Sequence, residues 1–257
     1  MTTLITGASS GIGLELARIC AAHKHDLVLV ARSGDKLRAL ADELKRSGVR
    51  IDVFQTDLSH REAPAAVQQF VELKGLTVDI LVNNAGYGLY GRFTETSLAT
   101  ELDMIQLNVV ALTELTKRML PGMVARKQGR ILNLASTASF LPGPLMAVYY
   151  ATKAYVLSFS EAIATELDGT GVTVTALCPG PTASGFQSTA HLEDSKLVAG
   201  RTLPTAAAVA RFGYDALMAG TAVAIPGATN KLTANIHRFF PRAMVRKTVM
   251  SAQERRT

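Results

Sequence analysis

The sequence predicts an α/β fold, a doubly wound parallel sheet of about seven strands with helices on both faces. Two observations predict this class. Short apolar runs rich in β-branched residues alternate with longer amphipathic stretches, which is the pattern of parallel strands joined by helical crossovers. Apolar runs such as the one at 27–30 lack the polar alternation of a strand with one wet face, so helices are expected on both faces of the sheet.

The elements follow this alternation along the chain. The apolar runs predict strands near 2–6, 26–31, 50–55, 79–83, 130–135, 172–177 and 222–225. The amphipathic stretches predict helices at 11–23, 34–47, 60–74, 98–127, 147–168 and 205–219, and a last helix at 228–250. The stretch 181–203 has no clear period and follows a strand end, where an α/β sheet binds its ligands, so we expect a lid or mobile segment there.

Length and composition favour one large globular domain. The 257 residues are 48% apolar and 19% charged, with a mean hydropathy of +0.19, which excludes a largely disordered chain and a coiled coil. No apolar run approaches the ~20 residues of a membrane helix, and the N-terminus enters structure without a leader, so we expect a cytoplasmic protein without a transmembrane segment. Cys20 and Cys178 are too few for a disulfide framework or a cysteine-rich metal site, and no metal is expected.

The excess positive charge lies at the end of the chain. Residues 1–229 hold 20 basic and 20 acidic residues, whereas residues 230–257 hold seven basic residues and one acidic, so the net charge of +6 does not predict a nucleic-acid partner. We expect 1–229 to form the domain and 230–257 to form a basic helical extension, not an independent domain. Apolar and basic residues mix in 236–246, around Pro241. Packing of this helix on its own domain is favoured, and peripheral membrane contact is the alternative.

A glycine-rich turn closes the first strand and opens the first helix. It reads Thr-Gly-Ala-Ser-Ser-Gly-Ile-Gly over residues 6–13. Glycine permits a tight turn with positive φ and close approach of a diphosphate to the backbone, and the free N–H groups of a helix N-terminus favour an anion. The turn therefore predicts a phosphate-bearing cofactor, although its glycine spacing differs from the common dinucleotide fingerprint. The alternative is an ordinary strand-to-helix turn.

The end of the second strand predicts which dinucleotide binds. An acidic side chain here would bind the adenosine ribose hydroxyls, but Ala31 has no carboxylate. Arg32 instead offers a planar cation suited to a phosphate monoester, and Ser33 offers a hydroxyl donor. The pair predicts NADP over NAD. The alternative is that Arg32 is a solvated residue after a strand.

Tyr149 and Lys153 are four residues apart in a predicted helix, so their side chains share one face. The reference pKa of tyrosine is about 10, and a neighbouring ammonium is expected to lower it and make the phenol a proton donor or acceptor. Such pairs also occur on solvated helices. Ser136 favours the chemical interpretation, because it ends the predicted strand at 130–135 and a hydroxyl there can bond a carbonyl oxygen. Tyr150 is the weaker candidate because Ala154 stands where its lysine would be.

These motifs together resemble the short-chain dehydrogenase/reductase family. Two further motifs contribute to this resemblance. They are the Asn-Asn-Ala-Gly segment at 83–86, after the fourth strand, and Pro179-Gly180, after the sixth. They occur in the family's order and at its spacings over roughly residues 2–227. The family's glycine-rich finish of the last strand is reduced here to Ala-Ile-Pro-Gly at 224–227.

The resemblance implies a Rossmann-like fold and cofactor-binding roles for the matching residues. Asp57 and Leu58 match positions that contact the adenine, although Asp57 is also a candidate N-cap for a helix beginning near Ser59. The full set expected to bind NADP(H) is Gly7, Ser9, Ser10, Gly11, Ile12, Gly13, Arg32, Ser33, Asp57, Leu58, Asn84, Ala85, Gly86, Tyr149, Lys153, Pro179, Gly180 and Thr182.

The resemblance also implies a four-residue catalytic set. Ser136 would orient the substrate oxygen, and Tyr149 would protonate or deprotonate it. Lys153 would tune Tyr149 and bind the nicotinamide ribose. Asn108 matches the helix asparagine that helps hold a water in the family's proton relay.

The substrate pocket is expected over the nicotinamide, between 87–93, 137–146 and the segment after Thr182. An apolar ketone or secondary alcohol fits such a lining best. The side chains expected there are Tyr87, Leu89, Tyr90, Phe140, Leu141, Leu145, Met146 and Phe186. His191, Glu193 and Asp194, in the expected lid, are assigned to neither catalysis nor metal binding.

The expected function is NADP(H)-dependent hydride transfer between nicotinamide and a carbonyl or secondary alcohol of an apolar small molecule. A non-catalytic NADP-binding regulatory or scaffold protein on the same fold is the alternative. Epimerisation or dehydration is a third. The complete catalytic set favours the oxidoreductase, because a sensor needs no proton relay. The resemblance further implies a homo-oligomer, either a dimer or a tetramer.

Overall fold

The computed structural model describes residues 1–190, 195–196, 200 and 202–254. Its centre is a seven-stranded parallel sheet in the order β3-β2-β1-β4-β5-β6-β7. The strands are β1 (Thr2–Thr6), β2 (Asp26–Ala31), β3 (Ile51–Gln55), β4 (Ile80–Asn83), β5 (Gly129–Leu134), β6 (Val172–Leu177) and β7 (Val223–Ala224). The predicted doubly wound fold is confirmed.

Helices cover both faces of this sheet. They are α1 (Gly11–Ala22), α2 (Gly34–Leu44), α3 (Ala63–Leu73), α4 (Leu98–Ile105), α5 (Leu112–Ala125), α6 (Ala147–Glu166), α7 (Phe186–Thr189), α8 (Ala206–Ala219), α9 (Ala228–Ile236) and α10 (Arg242–Gln253). Adjacent strand residues point to opposite faces, so Leu4 belongs to one apolar core and Ile5 to the other. Each core is closed by its own helices: Leu115 of α5 packs in the core of Leu4, and Leu16 of α1 packs in the core of Ile5.

The strand order reverses direction beside β1. The chain builds β1, β2 and β3 outward on one side, then crosses back and places β4 against the other side of β1. The turns after β1 and β4 therefore diverge and leave a crevice at the carboxyl edge of the sheet, which is where ligands bind in open α/β sheets.

Two predicted helices are divided in the structure. The helix predicted at 98–127 contains a π-helical segment, Gln106–Ala111, between α4 and α5. The helix predicted at 228–250 is wrong as one element, because α9 ends at Ile236 and α10 begins after Pro241. Proline lacks a backbone N–H and disfavours a helical residue before it, which accounts for the break.

A described residue of the aperiodic stretch 181–203 contacts the C-terminal extension, since Lys196 Nζ lies 3.1 Å from Glu254 Oε2. The stretch includes the short helix α7, while its residues His191, Glu193 and Asp194 lie outside the described residues. The hydroxyl of Tyr90 donates a hydrogen bond to the backbone oxygen of Gln253 at 2.8 Å, and Val249 is buried. These contacts hold the end of α10 against the body. In the described part of the chain, no helix is long and apolar enough to cross a membrane.

Candidate active site

A cavity of about 1030 Å³ lies at the carboxyl edge of the sheet. The turns after the first six strands contribute to its wall, and α9 and α10 close it from the other side. Residues predicted from separate motifs meet here, since the glycine turn, Arg32, Ser136, Tyr149 and Lys153 all line this one cavity.

The glycine turn fits a diphosphate. Gly7 and Gly11 have φ angles of 65° and 56°, which favour glycine. A Cβ on Gly13 would lie 2.5 Å from the backbone oxygen of Gly7, so only glycine allows the turn to close this tightly. Ser10 precedes α1 with extended geometry and makes no side-chain capping bond, so the first N–H groups of α1 keep the anion-binding character of a helix start.

Thr6 and Asn84 fasten this turn to β4. The Asn84 side-chain amide donates to the backbone oxygens of Thr6 and Gly7 at 2.9 and 3.1 Å. The Thr6 hydroxyl oxygen accepts from the backbone N–H groups of Asn84 and Ala85, each at 3.0 Å. The predicted segment at 84–86 thus holds the glycine turn in place at the crevice. The role of the Thr6 hydroxyl was not predicted, although the residue stands in the motif.

The end of the cavity where the sequence predicts adenosine binding contains two cations. Arg32 Nη1 lies 3.5 Å from Asp57 Oδ2, and Ser33 and Lys36 line the same cavity. The sequence prediction missed Lys36, which a search for cations one helical turn after Arg32 would have found. This end of the cavity combines the guanidinium, hydroxyl and ammonium groups that suit a phosphate monoester.

Asp57 is ionised and held by its own turn. Burial opposes ionisation, but hydrogen bonds from the N–H and hydroxyl of Ser59, with the charge of Arg32, outweigh it and lower the pKa of Asp57. The alternative N-cap role is wrong for a helix beginning near Ser59, because α3 begins at Ala63 and the Asp57 carboxylate closes a local turn instead. Leu58 is buried beside it and lines the cavity.

Asn108 lies in the π-helical segment. Its amide oxygen accepts from the backbone N–H of Tyr87 at 3.2 Å, and its amide nitrogen donates to the Tyr87 oxygen at 3.0 Å and the Thr152 hydroxyl at 3.1 Å. A Cβ on Gly86 would lie 2.8 Å from the Asn108 oxygen and 3.6 Å from Lys153 Nζ, so the three residues adjoin. The side chain of Asn108 therefore connects the loop after β4 to α6 next to Lys153.

Ser136, Tyr149 and Lys153 converge at the centre of the cavity. The Ser136 hydroxyl donates to the backbone oxygen of Pro179 at 3.3 Å and accepts from the N–H of Ala138 at 3.1 Å. Lys153 Nζ donates to the backbone oxygen of Leu134 at 2.6 Å and lies 5.9 Å from the centroid of the Tyr149 ring. The arrangement places a phenol, an ammonium and a hydroxyl at one edge of the sheet.

The electrostatics of this centre differ from expectation. Burial raises the pKa of Tyr149 above its usual value, and the hydrogen bond with Ser136 opposes this only in part. Burial also lowers the pKa of Lys153 to about 8. The predicted lowering of the Tyr149 pKa is therefore wrong for this structure, because the loss of water around the buried phenol dominates.

The end of the cavity where the sequence predicts nicotinamide binding is shaped by the segment after β6. Pro179, Gly180 and Thr182 line it, and the Thr182 hydroxyl donates to the Gly180 oxygen at 2.9 Å. A Cβ on Gly180 would lie 2.5 Å from the Asn230 side-chain oxygen, so glycine lets α9 approach this segment.

An apolar wall surrounds the Tyr149 ring, whose centroid is 5.3 Å from that of Phe186. Tyr87, Leu141, Met146 and Phe186 line the cavity as predicted, while Leu89 and Tyr90 pack in the same apolar cluster. Four predicted lining residues are wrong: Leu89, Tyr90 and Leu145 do not line the cavity, and Phe140 packs in a separate cluster with Val156 and Cys178. The sequence analysis missed the contribution of α10, which is Met244, Val245, Thr248, Val249 and Ala252.

A family model described as short chain dehydrogenase matches residues 1–194. The chain belongs to the short-chain dehydrogenase/reductase family. The resemblance identified from the motifs is thus confirmed, and with it an oxidoreductase fold that binds a nicotinamide cofactor. Among the residues that the structure describes, no cluster of three His, Cys, Asp or Glu side chains is arranged to hold a metal ion.

Individual members of the short-chain dehydrogenase/reductase family resemble the chain in sequence and structure. Ketoacyl reductase HetN of Nostoc sp. is 37% identical over 180 residues, which cover 70% of this chain and 62% of that protein. The chain thus spans less than two thirds of this curated relative's length. A short-chain dehydrogenase from Sphingobium yanoikuyae in complex with NADPH has a TM-score of 0.82 and 32% identity, covering 100% of this chain and 97% of its own. The bulky-bulky ketone specific alcohol dehydrogenase from Comamonas testosteroni has a TM-score of 0.79 and 29% identity, with coverages of 98% and 94%.

Proposed function

We propose that this protein is an NADP(H)-dependent oxidoreductase. It transfers a hydride between the nicotinamide and a carbonyl or secondary alcohol of an apolar small molecule. The observation that carries this proposal is the meeting of Ser136, Tyr149 and Lys153 in one cavity that the glycine turn also lines. A regulatory or scaffold protein would need the glycine turn but not this convergence, which makes the non-catalytic alternative the weaker one.

Separate groups of residues in the cavity have separate roles in the proposed reaction. The glycine turn and the start of α1 hold the diphosphate, and Lys153 and Tyr149 hold the nicotinamide ribose. The bound cofactor supplies or accepts the hydride. The Ser136 hydroxyl donates a hydrogen bond to the substrate oxygen and orients it, while Tyr149 Oη gives a proton to that oxygen or takes one from it. Asn108 positions the loop after β4 against α6 and adjoins Lys153, and we propose that it helps hold the water of the proton relay.

The choice of NADP over NAD rests on the adenosine end. Arg32 and Lys36 provide two cations, and Ser33 provides a hydroxyl, at the position where an NAD-binding protein of this topology places a carboxylate. Asp57 does not serve as that carboxylate, because it is bound by Ser59 and faces Arg32. The relative from Sphingobium yanoikuyae, which binds NADPH, supports this choice.

The substrate class rests on the wall of the cavity. Tyr87, Leu141, Met146 and Phe186 surround the Tyr149 ring without a charged side chain among them. An apolar ketone or the corresponding secondary alcohol suits such a wall. One relative is named a ketoacyl reductase and one structural neighbour a bulky-bulky ketone specific alcohol dehydrogenase, and both names support a carbonyl or alcohol substrate.

The domain organisation and the assembly are also proposals. We propose that residues 1–229 form the catalytic domain and that residues 230–257 extend it and complete the substrate wall through α10. A stripe of exposed apolar side chains on α4 and the π-helical segment suits contact with a second copy of the chain. The stripe consists of Leu98, Leu102, Ile105 and Val110.

The test is the variant Tyr149→Phe, assayed by NADPH oxidation against a panel of ketones, aldehydes, quinones and steroids. Loss of a positioned proton donor is expected to lower kcat by about 10²–10⁴-fold, with NADPH binding largely kept. Tyr155→Phe is the matched control, because Tyr155 is an exposed phenol on the same helix. Unchanged turnover by Tyr149→Phe would refute the mechanism, and NADPH binding by the native protein without turnover of any panel member would favour the non-catalytic alternative.

A further inference from the structure

The segment 231–247 presents large apolar side chains to solvent, a feature the proposed reaction does not use. We call it the tail surface. The exposed fractions are 60% for Leu232, 83% for Phe239, 48% for Phe240 and 53% for Met244. Single exposed apolar residues are ordinary, but a group within one short segment marks an interaction site.

Cations are interleaved with these apolar side chains. Residues 216–253 contain no Asp or Glu, so nothing within this stretch neutralises them. Among the described residues, none of the five cations of the tail surface lies within 4.0 Å of a carboxylate. They are exposed and consist of Lys231, Arg238, Arg242, Arg246 and Lys247.

The tail surface forms the mouth of the active-site cavity. Phe240 and Met244 both line the cavity and are about half exposed, so they stand where the cavity meets solvent. One to two turns further along α10, Val249 is buried against the apolar cluster around Tyr149. The cations therefore belong to the same segment as two apolar side chains at the entrance of the cavity.

We propose that the tail surface docks on an anionic phospholipid bilayer. The cations would contact the headgroups, and Leu232, Phe239 and Met244 would enter the boundary between headgroups and acyl chains. Because no helix of the described chain can cross a bilayer, this contact is peripheral. Docking in this orientation opens the cavity toward the bilayer, so an apolar substrate can enter without crossing water.

A bilayer explains the tail surface better than an acidic protein partner does. In the described part of the chain, another group of exposed apolar side chains lies on α4 and the π-helical segment, next to the exposed acidic residue Asp103, as expected for a protein contact with mixed charge. The tail surface instead combines unpaired cations of one sign with aromatic and aliphatic side chains, which is the composition of interfacial helices. An acidic protein would match the cations but would leave Phe239, the most exposed aromatic ring in the segment, without a counterpart.

The experiment is sedimentation of the full chain with two kinds of vesicle, phosphatidylcholine alone and phosphatidylcholine with 30% phosphatidylserine. The native protein is expected to sediment with the anionic vesicles and to be released by salt. The variant Arg242→Glu/Arg246→Glu removes two cations. Loss of each cation should lower the partition coefficient roughly five-fold, so the double variant should lower it roughly 25-fold or more. Leu232→Ser/Phe239→Ser should also lower it, at unchanged charge.

Matched controls separate docking from general effects. Arg46→Glu/Lys127→Glu makes the same change of net charge on the body, at exposed residues far from the tail in sequence, and should leave vesicle binding nearly unchanged. Melting curves establish that each variant is folded. Failure of the native protein to bind anionic vesicles, or an equal loss in this control, would overturn the proposal. Binding that depends on the arginines but not on Leu232 and Phe239 would also overturn it, in favour of an acidic protein partner.

Discussion

Arg32 offers the sharpest test of the cofactor site, because its effects on folding and on binding can be separated. Its side chain is 66% exposed, and its ion pair with Asp57 spans 3.5 Å. An exposed pair of this kind contributes less than about 1 kcal/mol to folding. We therefore expect Arg32→Ala to melt close to the native temperature, so a change in cofactor affinity would not reflect loss of fold.

The expected change in cofactor affinity is much larger. A hydrogen bond to a charged group contributes about 1.5–3 kcal/mol, so loss of one should raise the Kd for NADPH by roughly 10- to 150-fold. Asp57 reinforces this effect: its carboxylate is ionised, and without Arg32 it would repel the 2′-phosphate. NADH has hydroxyls in place of this phosphate, so its Kd should change little. Lys36→Ala should weaken NADPH binding in the same direction.

The assay is direct titration of NADPH and NADH, observed through nicotinamide fluorescence. The chain contains no Trp, so little protein emission overlaps the signal. Arg38→Ala is the matched control, because Arg38 is also an exposed arginine paired with a nearby aspartate, Asp35, but does not line the cavity. Equal weakening of both cofactors by Arg32→Ala, or none for NADPH, would refute the assignment of the phosphate site.

Three further predictions concern stability and assembly. Burial lowers the pKa of His25 from its ordinary 6.5, so the stability due to neutral His25 is present above pH 6.5 and is lost as the pH falls through the lowered folded-state pKa. In urea unfolding at pH 7.5 and 5, His25→Asn should reduce the difference in unfolding free energy between the two pH values. An unaltered difference would contradict this prediction. Asn133→Ala removes the acceptor at 2.9 Å from one of the two N–H groups of the buried Asn83 amide, and the donor to buried Ser160, so unfolding free energy should fall by about 2–4 kcal/mol, and a fall below about 1 would be inconsistent. Leu102→Glu should reduce the molar mass in light scattering while Leu73→Glu, at another exposed leucine, should not, and a monomeric native chain would exclude the proposed oligomer.

The sequence predicted those parts of the molecule that depend on local periodicity. Continuous apolar runs and amphipathic stretches with period 3.6 were enough for the seven strands and most helices, because these patterns follow from which side chains are buried. The same reasoning found Tyr149 and Lys153, since a spacing of four places two side chains on one helix face. The glycine turn was equally visible, because positive φ restricts the residue type.

Features that depend on distant contacts could not be predicted in this way. The π-helical segment around Asn108 has no characteristic composition, and it is stabilised in part by hydrogen bonds from Asn108 to Tyr87 and Thr152. The cavity-lining face of α10 depends on how the chain returns across the sheet after β7, about a hundred residues after the catalytic motifs. Asn83 belongs to the motif at 83–86, but it ends β4 and donates hydrogen bonds to Thr116 and Asn133 inside the core, which its place in the motif does not indicate.

The pKa of Tyr149 shows that the spacing of two residues along a helix does not by itself determine the protonation of a side chain. Four residues of helix bring the ammonium of Lys153 to 5.9 Å from the phenol ring, as expected, yet the phenol is harder to ionise than in water. Proximity supplies one favourable interaction between two groups, whereas burial removes water from each of them. Burial also lowers the pKa of Lys153 to about 8, so its ammonium form is only moderately favoured at neutral pH. Ionisation of Tyr149 therefore requires additional polar partners in the cavity, so its pKa in the working enzyme should differ from its value in the free protein.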